Sequence, residues 1–288
     1  MQFLIDCISV FYIDDATICF AKGLVKKIIM EILHSKIYGE DKAGTPLLVI
    51  HGLFGMLDNW GSFGKEFGEM MPTHLLDLRN HGRSFHSPSM THDDLANDII
   101  NYMNAHNMDK AYLLGHSLGG KALMQCAINF PEKVEKLIVV DISPKAYPPH
   151  HQGIIKALQS VDFSKVESRH DVEDVLKEFI PEIFVIQFLM KNLYWTDDKK
   201  LDWRFNLQTL ADNYTEFVSN AIKFGVYNGP TLFIKGSKSN YILPQDDFLI
   251  KQQFPNSSLV EIANASHWVQ ANNPTDFAIA VKAFLFDK

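Results

Sequence analysis

Gly115-His116-Ser117-Leu118-Gly119-Gly120 stands between an apolar run, Ala111-Tyr112-Leu113-Leu114, and a helical run, Lys121 to Phe130, that stops before Pro131. Few architectures accept that sequence in that place. A strand that turns at once into a helix forces the residue at the bend into a tight, strained conformation. Glycines two before and two after the serine remove the side chains that would clash there. The serine hydroxyl is then carried above the edge of a sheet, with a helix N-terminus behind it that favours developing negative charge.

The flanking sequence supplies such a sheet. From about residue 46 the chain alternates short apolar runs with helical patterns, which predicts an α/β fold with a mostly parallel sheet covered on both faces. The predicted strands are 47–50 (LLVI), 73–78 (THLLDL), 111–117, 136–144 (KLIVVDISP), 231–236 (TLFIKG) and 258–266 (SLVEIANAS). The predicted helices include 92–106, with Asp93 and Asp94 in the first turn where the helix dipole favours acids, and 274–286, which opens on Pro274. Between Pro144 and Gly229 the alternation breaks into helical patterns with no convincing strand. Residues 145–228 are therefore expected to form a helical cap inserted into a core made of 30–144 and 229–288. Residues 1–29 read as an N-terminal extension. Met30 is followed by EILHSKIYGE, which has the pattern of a first strand, and 24–33 (LVKKIIMEIL) have the amphipathic pattern of an added helix.

A serine hydroxyl is a weak nucleophile and needs a base. In a strand–elbow–helix sheet the order along the chain is serine, acid, histidine, so the base is expected just past the last strand. His267, in Ala265-Ser266-His267-Trp268, occupies that position. His51 and His81 sit in turn motifs, and His150 and His151 follow Pro148 and Pro149 as a flexible-looking pair, so all four are poorer candidates. The acid is expected after the strand ending at Val140 or the one ending at Gly236. Asp141 follows four apolar strand residues, and a carboxylate there is costly to bury unless an imidazole N–H meets it. The turn 236–241 carries Ser239 and no carboxylate. Asp246 and Asp247 come later and read as helix N-terminal acids.

Two backbone N–H groups should hold a developing oxyanion. One is that of Leu118, directly after the serine. The other comes from the loop His51-Gly52-Leu53-Phe54-Gly55, with Leu53 the first choice and Phe54 the second. Phe54, Trp60, His116 and Trp268 are candidate pocket residues, as is the aromatic run around Phe184, Phe188 and Trp195. Asp77-Leu78-Arg79-Asn80-His81-Gly82-Arg83-Ser84 is expected to form a hydrogen-bonded turn that braces the site from below.

With these pieces in order, residues 30–288 resemble the α/β-hydrolase superfamily, and among its members the YbfF-type bacterial esterases and their mitochondrial relatives. The likeness is carried by HGLFGMLDNW (51–60), DLRNHGRS (77–84), GHSLGGKALM (115–124), VVDISP (139–144), WRFNL (203–207), PTLFIKGSKSNY (230–241) and SHWVQANNP (266–274). The resemblance implies a Ser117-Asp141-His267 triad, a helical cap, no cofactor, and hydrolysis of short- to medium-chain acyl esters through an acyl-enzyme. The family pattern also lacks an acid in the turn 236–241. It departs here at Ser266, where glycine is usual. An acyl thioesterase or a carbon–carbon bond hydrolase would keep the same triad. A non-catalytic receptor or scaffold of the same fold is the alternative outside enzymology. A dehalogenase or epoxide hydrolase would need an aspartate at position 117.

Composition narrows the rest. The 288 residues carry a formal charge of −7 with 47% apolar residues, and no Lys/Arg cluster supplies a nucleic-acid footprint. Cys7, Cys19 and Cys126 are widely separated, which supports neither a disulfide framework nor a zinc site and fits a reducing, cytoplasmic setting. Cys126, within an apolar helical run, reads as a buried inert thiol. The apolar stretch 1–19 is interrupted by Asp6, Asp14 and Asp15 and lacks a basic start, so it reads neither as a membrane span nor as a signal peptide. The expected partner is a small acyl ester.

Overall fold

A computed structural model of the chain describes residues 10–13, 16–21, 24–29, 31–215 and 219–286. The backbone of the extension forms three short antiparallel strands, Val10–Ile13 (β1), Ala16–Ala21 (β2) and Leu24–Ile29 (β3), in the order β1-β2-β3. A helix was expected over 24–33. The β-branched residues Val25, Ile28 and Ile29 suit the strand instead. Cys7 and Met30 lie outside the described residues.

The body is a seven-stranded sheet built from Ser35–Tyr38 (β4), Leu47–Ile50 (β5), Thr73–Leu76 (β6), Ala111–His116 (β7), Val134–Val140 (β8), Thr231–Gly236 (β11) and Ser257–Ile262 (β12). Its order is β12-β11-β8-β7-β5-β6-β4. All neighbours are parallel except β4, which runs antiparallel to β6 at the edge. Parallel strands buried on both faces read as continuous apolar runs, and all four residues of β5 are within 1% of full burial. Their side chains still alternate. Leu48, Ile50, Leu113, Leu137 and Val139 enter one core, and Leu47, Val49, Leu114, Ile138 and Val140 enter the other. Each such side chain contributes roughly 1.5–3 kcal/mol by leaving water.

The helices are Gly61–Gly68 (α1), His92–Ala105 (α2), Leu118–Asn129 (α3), Gln152–Gln159 (α4), Arg169–Lys177 (α5), Ile183–Met190 (α6), Leu207–Asp212 (α7), Asp247–Gln253 (α8), Val269–Asn272 (α9) and Pro274–Phe286 (α10). The α2 start is fixed by Thr91, whose hydroxyl accepts the Asp94 N–H at 3.1 Å while Asp94 accepts the Thr91 N–H at 2.8 Å. Helices α4 to α7 fall between β8 and β11, where the inserted cap is expected. That segment also holds a small hairpin, Leu193–Trp195 (β9) with Leu201–Trp203 (β10). Three-residue strands carry too little periodicity to be read from sequence, so the expectation of no strand there is corrected. The inserted segment is joined to the rest by Ile222 N–H to Pro144 O (3.1 Å) and Asn206 N–H to Asn80 O (2.9 Å). Among the described residues no helix is long and apolar enough to cross a membrane.

The order of strands positions the site. Crevices in open α/β sheets open beyond the carboxyl ends of the strands. Here β5, β7 and β8 lie side by side, with β11 and β12 next, and Leu53, Ser117, Asp141 and His267 each follow the end of one of them.

Candidate active site

Ser117 sits at φ +52°, ψ −118°, a region that penalises any side chain, and is 9% exposed. The bend is locked on both sides. The Ser117 N–H continues the β8 ladder by donating to Val140 O at 3.0 Å, and its carbonyl accepts the Lys121 N–H at 3.0 Å. A Cβ on Gly119 would lie 2.5 Å from His51 O, so the glycine allows the start of α3 to pack under the loop after β5.

Asp141 also has positive φ, +52°, and is fully buried. Its N–H donates to Ile234 O at 2.7 Å. Its Oδ1 accepts the Gly236 N–H at 3.1 Å, while Oδ2 accepts the Ser239 hydroxyl and the His267 Nδ1–H, the latter at 2.8 Å. Asp246 is elsewhere, 2.5 Å from Lys145 Nζ and accepting the Leu243 N–H. Burial pushes the Asp141 carboxyl up to about 6, against the pull of Ser239 and Gly236. Burial also holds His267 well below its ordinary range, which keeps the imidazole in its neutral, basic form.

The His267 ring is held on three sides. Tyr241 stacks on it at 3.7 Å between centroids, His116 Nε2–H donates to its carbonyl at 2.8 Å, and Asp141 fixes Nδ1. Serine is accommodated at 266 because its φ is not positive, and its N–H and hydroxyl both donate to Asn272 Oδ1, at 2.9 and 2.7 Å. Ser117 and His267 line the same cavity, together with Gly52, Leu53, Phe54, His116 and Trp268. Among the described residues the Ser117 hydroxyl makes no hydrogen bond, whereas His267 is hydrogen-bonded to Asp141.

The loop after β5 is braced from below by the turn after β6, through two neutral histidines. His51 Nδ1–H donates to Gly52 O (2.8 Å) and its Nε2 accepts the Leu78 N–H (3.1 Å). His81 Nδ1–H donates to Arg79 O (3.0 Å) and its Nε2 accepts the Phe54 N–H (3.2 Å). Burial lowers His51 to about 4 and His81 to about 3, so both stay neutral and keep an acceptor nitrogen. Asp77 accepts the Leu57 N–H at 2.7 Å and the Arg83 N–H at 2.9 Å. Arg79 clamps Asp98 through two hydrogen bonds of 2.6 and 2.7 Å.

The same contacts separate the two candidate amides of this loop. The Phe54 amide is already given to His81, so it is not a spare oxyanion donor. The Gly55, Met56 and Leu57 amides are engaged too, so from residue 53 to residue 57 only the Leu53 amide is without a partner among the described residues. Leu118 heads α3, where amides have no intrahelical acceptor.

Of the candidate pocket aromatics, Phe54, Phe188 and Trp268 line the cavity at Ser117. Trp60 does not. It is 2% exposed and packs against Phe63 and Phe277 in the second core, touching only a neighbouring cleft. Trp195 is half exposed on the cap hairpin. His151, read from sequence as part of a flexible pair, is drawn into the site, where it lines the space around Ser117 from the cap side. Ser239, Tyr241, Tyr214 and the buried Lys121 were likewise missed as site residues. Lys121 shares the cavity with Ser117 and donates to the Ser219 and Asn220 carbonyls, and burial lowers it to about 7. Its position four residues after the serine, one helical turn into α3, was the available signal. Cys126 is buried and its thiol is pushed up to about 12. Among the described residues there is no cluster of metal-ligating side chains.

Residues 45–169 match the family described as alpha/beta hydrolase fold. The chain is 39% identical over 271 residues to a putative esterase/lipase of Haemophilus influenzae, covering 92% of each. It is 35% identical to Esterase YbfF of Escherichia coli, covering 84% of this chain and 94% of that one. Among solved structures it is similar to a marine microorganism esterase, with a TM-score of 0.85 and 34% identity, covering 88% of this chain and all of the other.

Proposed function

We propose, from the premise that this chain belongs to the α/β-hydrolase superfamily beside the YbfF-type esterases, that it hydrolyses carboxylic esters of short to medium acyl chain through an acyl-enzyme on Ser117. The observation that carries the reading is the 2.8 Å pair between His267 Nδ1 and Asp141 Oδ2, opening onto the cavity in which Ser117 is held at positive φ.

Ser117 Oγ attacks the ester carbonyl carbon while His267 Nε2 takes the hydroxyl proton. Asp141 holds the tautomer that leaves Nε2 free and stabilises the imidazolium that forms. The Leu53 and Leu118 amides hold the tetrahedral oxyanion. Collapse breaks the bond to the alkoxy oxygen, which leaves as the alcohol with the proton from His267. Water then repeats the sequence, giving its proton to His267 as it attacks the acyl carbon, and the carboxylic acid departs as Ser117 recovers its hydrogen. The carbonyl oxygen keeps its place through both steps, so one pair of donors serves both. The apolar side of the cavity, bounded by Val185, Phe188, Leu189 and Trp268, suits an acyl chain. A reducing cytoplasm belongs to the same reading, in which the three cysteines take no part.

Hydrolysis of p-nitrophenyl esters from acetate to palmitate tests it. Ser117→Ala is expected to lose roughly 10⁶-fold in kcat and Asp141→Asn about 10⁴-fold. An Asp141→Asn enzyme near wild-type rate would remove Asp141 from its role, and equal rates for wild type and Ser117→Ala would remove the mechanism.

A further inference from the structure

The space above Ser117 has two compartments. One runs under α6, with an apolar wall of Ile154, Val185, Phe188 and Leu189 facing His116 and His267. The other is bounded by Lys121, Tyr147, Tyr214 and Tyr241. Leu53, Ser117 and His151 are common to both, so His151 stands where they meet.

His151 is held by one partner. The Tyr214 hydroxyl accepts the His151 backbone N–H at 2.9 Å and lies 2.9 Å from Nδ1 of the same residue. The tautomer follows from counting protons. Tyr214 is 3% exposed, and its hydroxyl has a single hydrogen to give. Among the described residues Nδ1 is the acceptor within reach. If Nδ1 carried the proton, the phenolic hydrogen would be buried without a partner, at a cost of about 1–3 kcal/mol. Nδ1 is therefore the acceptor and Nε2 carries the hydrogen. Burial keeps the ring neutral, lowering it to about 4. Among the described residues nothing accepts from Nε2, so the ring keeps one unspent donor at the junction above the serine. Pro148 and Pro149 precede it and restrict the approach of the chain to α4, whose first position His151 caps.

We infer that His151 is a specificity-determining residue whose Nε2–H binds an acceptor oxygen on the alcohol side of the substrate, selecting esters of oxygenated alcohols over esters of plain alkanols. This rests on the ester-hydrolase reading above. The side is assigned by the walls: the aliphatic and aromatic wall under α6 suits the acyl chain, and the compartment lined by Tyr147, Tyr214, Tyr241 and Lys121 is left for the rest of the alcohol, whose ester oxygen stays beside Ser117 where the two compartments meet. A donor that a bound substrate covers and leaves unmatched penalises that substrate, which gives stronger discrimination than apolar fit alone.

The test compares 2-methoxyethyl butyrate with n-butyl butyrate, two esters of the same length that differ by one ether oxygen. Rates are divided by those of alkaline hydrolysis to remove intrinsic reactivity. Wild type is expected to favour the methoxyethyl ester about tenfold in kcat/KM. His151→Phe is expected to abolish the preference and His151→Gln, which keeps a donor, to retain part of it. Tyr214→Phe leaves the ring in place but frees its tautomer, and it is expected to lower the preference at least about threefold. It serves as the test if His151→Phe fails to fold. No preference in wild type, or an unchanged preference in His151→Phe or Tyr214→Phe, overturns the inference. So does a preference seen only for an ether oxygen in the acid, measured as butyl 3-methoxypropanoate against butyl pentanoate. Hydrolysis of n-butyl butyrate that is absent in Ser117→Ala checks the underlying reading separately. With that activity intact, a failed preference counts against His151 alone.

Discussion

Ser239 donates its hydroxyl to Oδ2 of Asp141, the same oxygen that accepts the Nδ1–H of His267. The turn after β11 thus contributes no carboxylate, yet it stabilises the carboxylate that follows β8. Two donors on one oxygen, with the Gly236 N–H on the other, offset part of the burial that drives Asp141 up to about 6.

Removing the Ser239 hydroxyl therefore makes the negative His267–Asp141 pair less stable and raises its affinity for a proton. The sign is fixed. A higher proton affinity moves the acid limb of the kcat/KM profile to higher pH. Ser239→Ala is expected to lose several-fold at pH 6 and less than about twofold at pH 8. A profile that falls uniformly, with the limb unmoved, would mean that Ser239 does not tune the pair.

The strain at Ser117 predicts a stability effect opposite in direction to the catalytic one. At φ +52° a Cβ is penalised and glycine is not. Ser117→Gly and Ser117→Ala both lack the hydroxyl, but Ser117→Gly is expected to be the more stable by about 1–3 kcal/mol in urea unfolding. Equal midpoints for the two variants would show that the elbow stores no such strain.

Much of this site was legible in the sequence because its parts are local. A glycine-flanked serine after four apolar strand residues, an aspartate ending the longest apolar run, and a histidine after the last strand each declare their place by position along a strand. What sequence could not supply was the convergence of side chains from separate loops. Trp60 and Phe188 are equally aromatic on paper, and only packing sends one into the core and the other to the cavity. His151 looked mobile because two prolines precede it. Its order comes from Tyr214, 63 residues away, and no local pattern encodes that bond. The β9–β10 hairpin was hidden for a different reason, since three residues are too few to show a period of two.

The segment inserted between β8 and β11 also reaches the loop after β5 directly. Asn192 is fully buried, and its Nδ2–H donates to the Phe54 carbonyl at 2.7 Å, at the residue whose φ is +57°. This bond ties the turn after α6 to the Phe54–Gly55 peptide, two links along from the one that carries the Leu53 amide. Asn192→Ala is expected to lower kcat about tenfold and leave KM within about threefold, because the loss falls on oxyanion stabilisation more than on substrate binding. A rise in KM at unchanged kcat would instead place Asn192 in ground-state binding.

On the proposed reading the compartment under α6 holds the acyl chain, and Phe188 is a wall that substitution can open. The ring is partly buried, packs against Trp268 at 5.9 Å between centroids and lines the cavity beside Val185 and Leu189. Phe188→Ala removes the ring while leaving Ser117, His267 and Asp141 in place. Because the ring is not fully buried, the loss of stability is expected to be below the ~3–5 kcal/mol typical of a fully buried Phe→Ala change. The freed volume is expected to move the preferred p-nitrophenyl ester two to four carbons longer, at about 25 cal/mol per Å² of newly buried chain. Acetate hydrolysis, which does not reach the ring, is expected to change less than about threefold. If the preference stays where it is while acetate hydrolysis falls, the acyl chain runs elsewhere and the assignment of the two compartments must be exchanged.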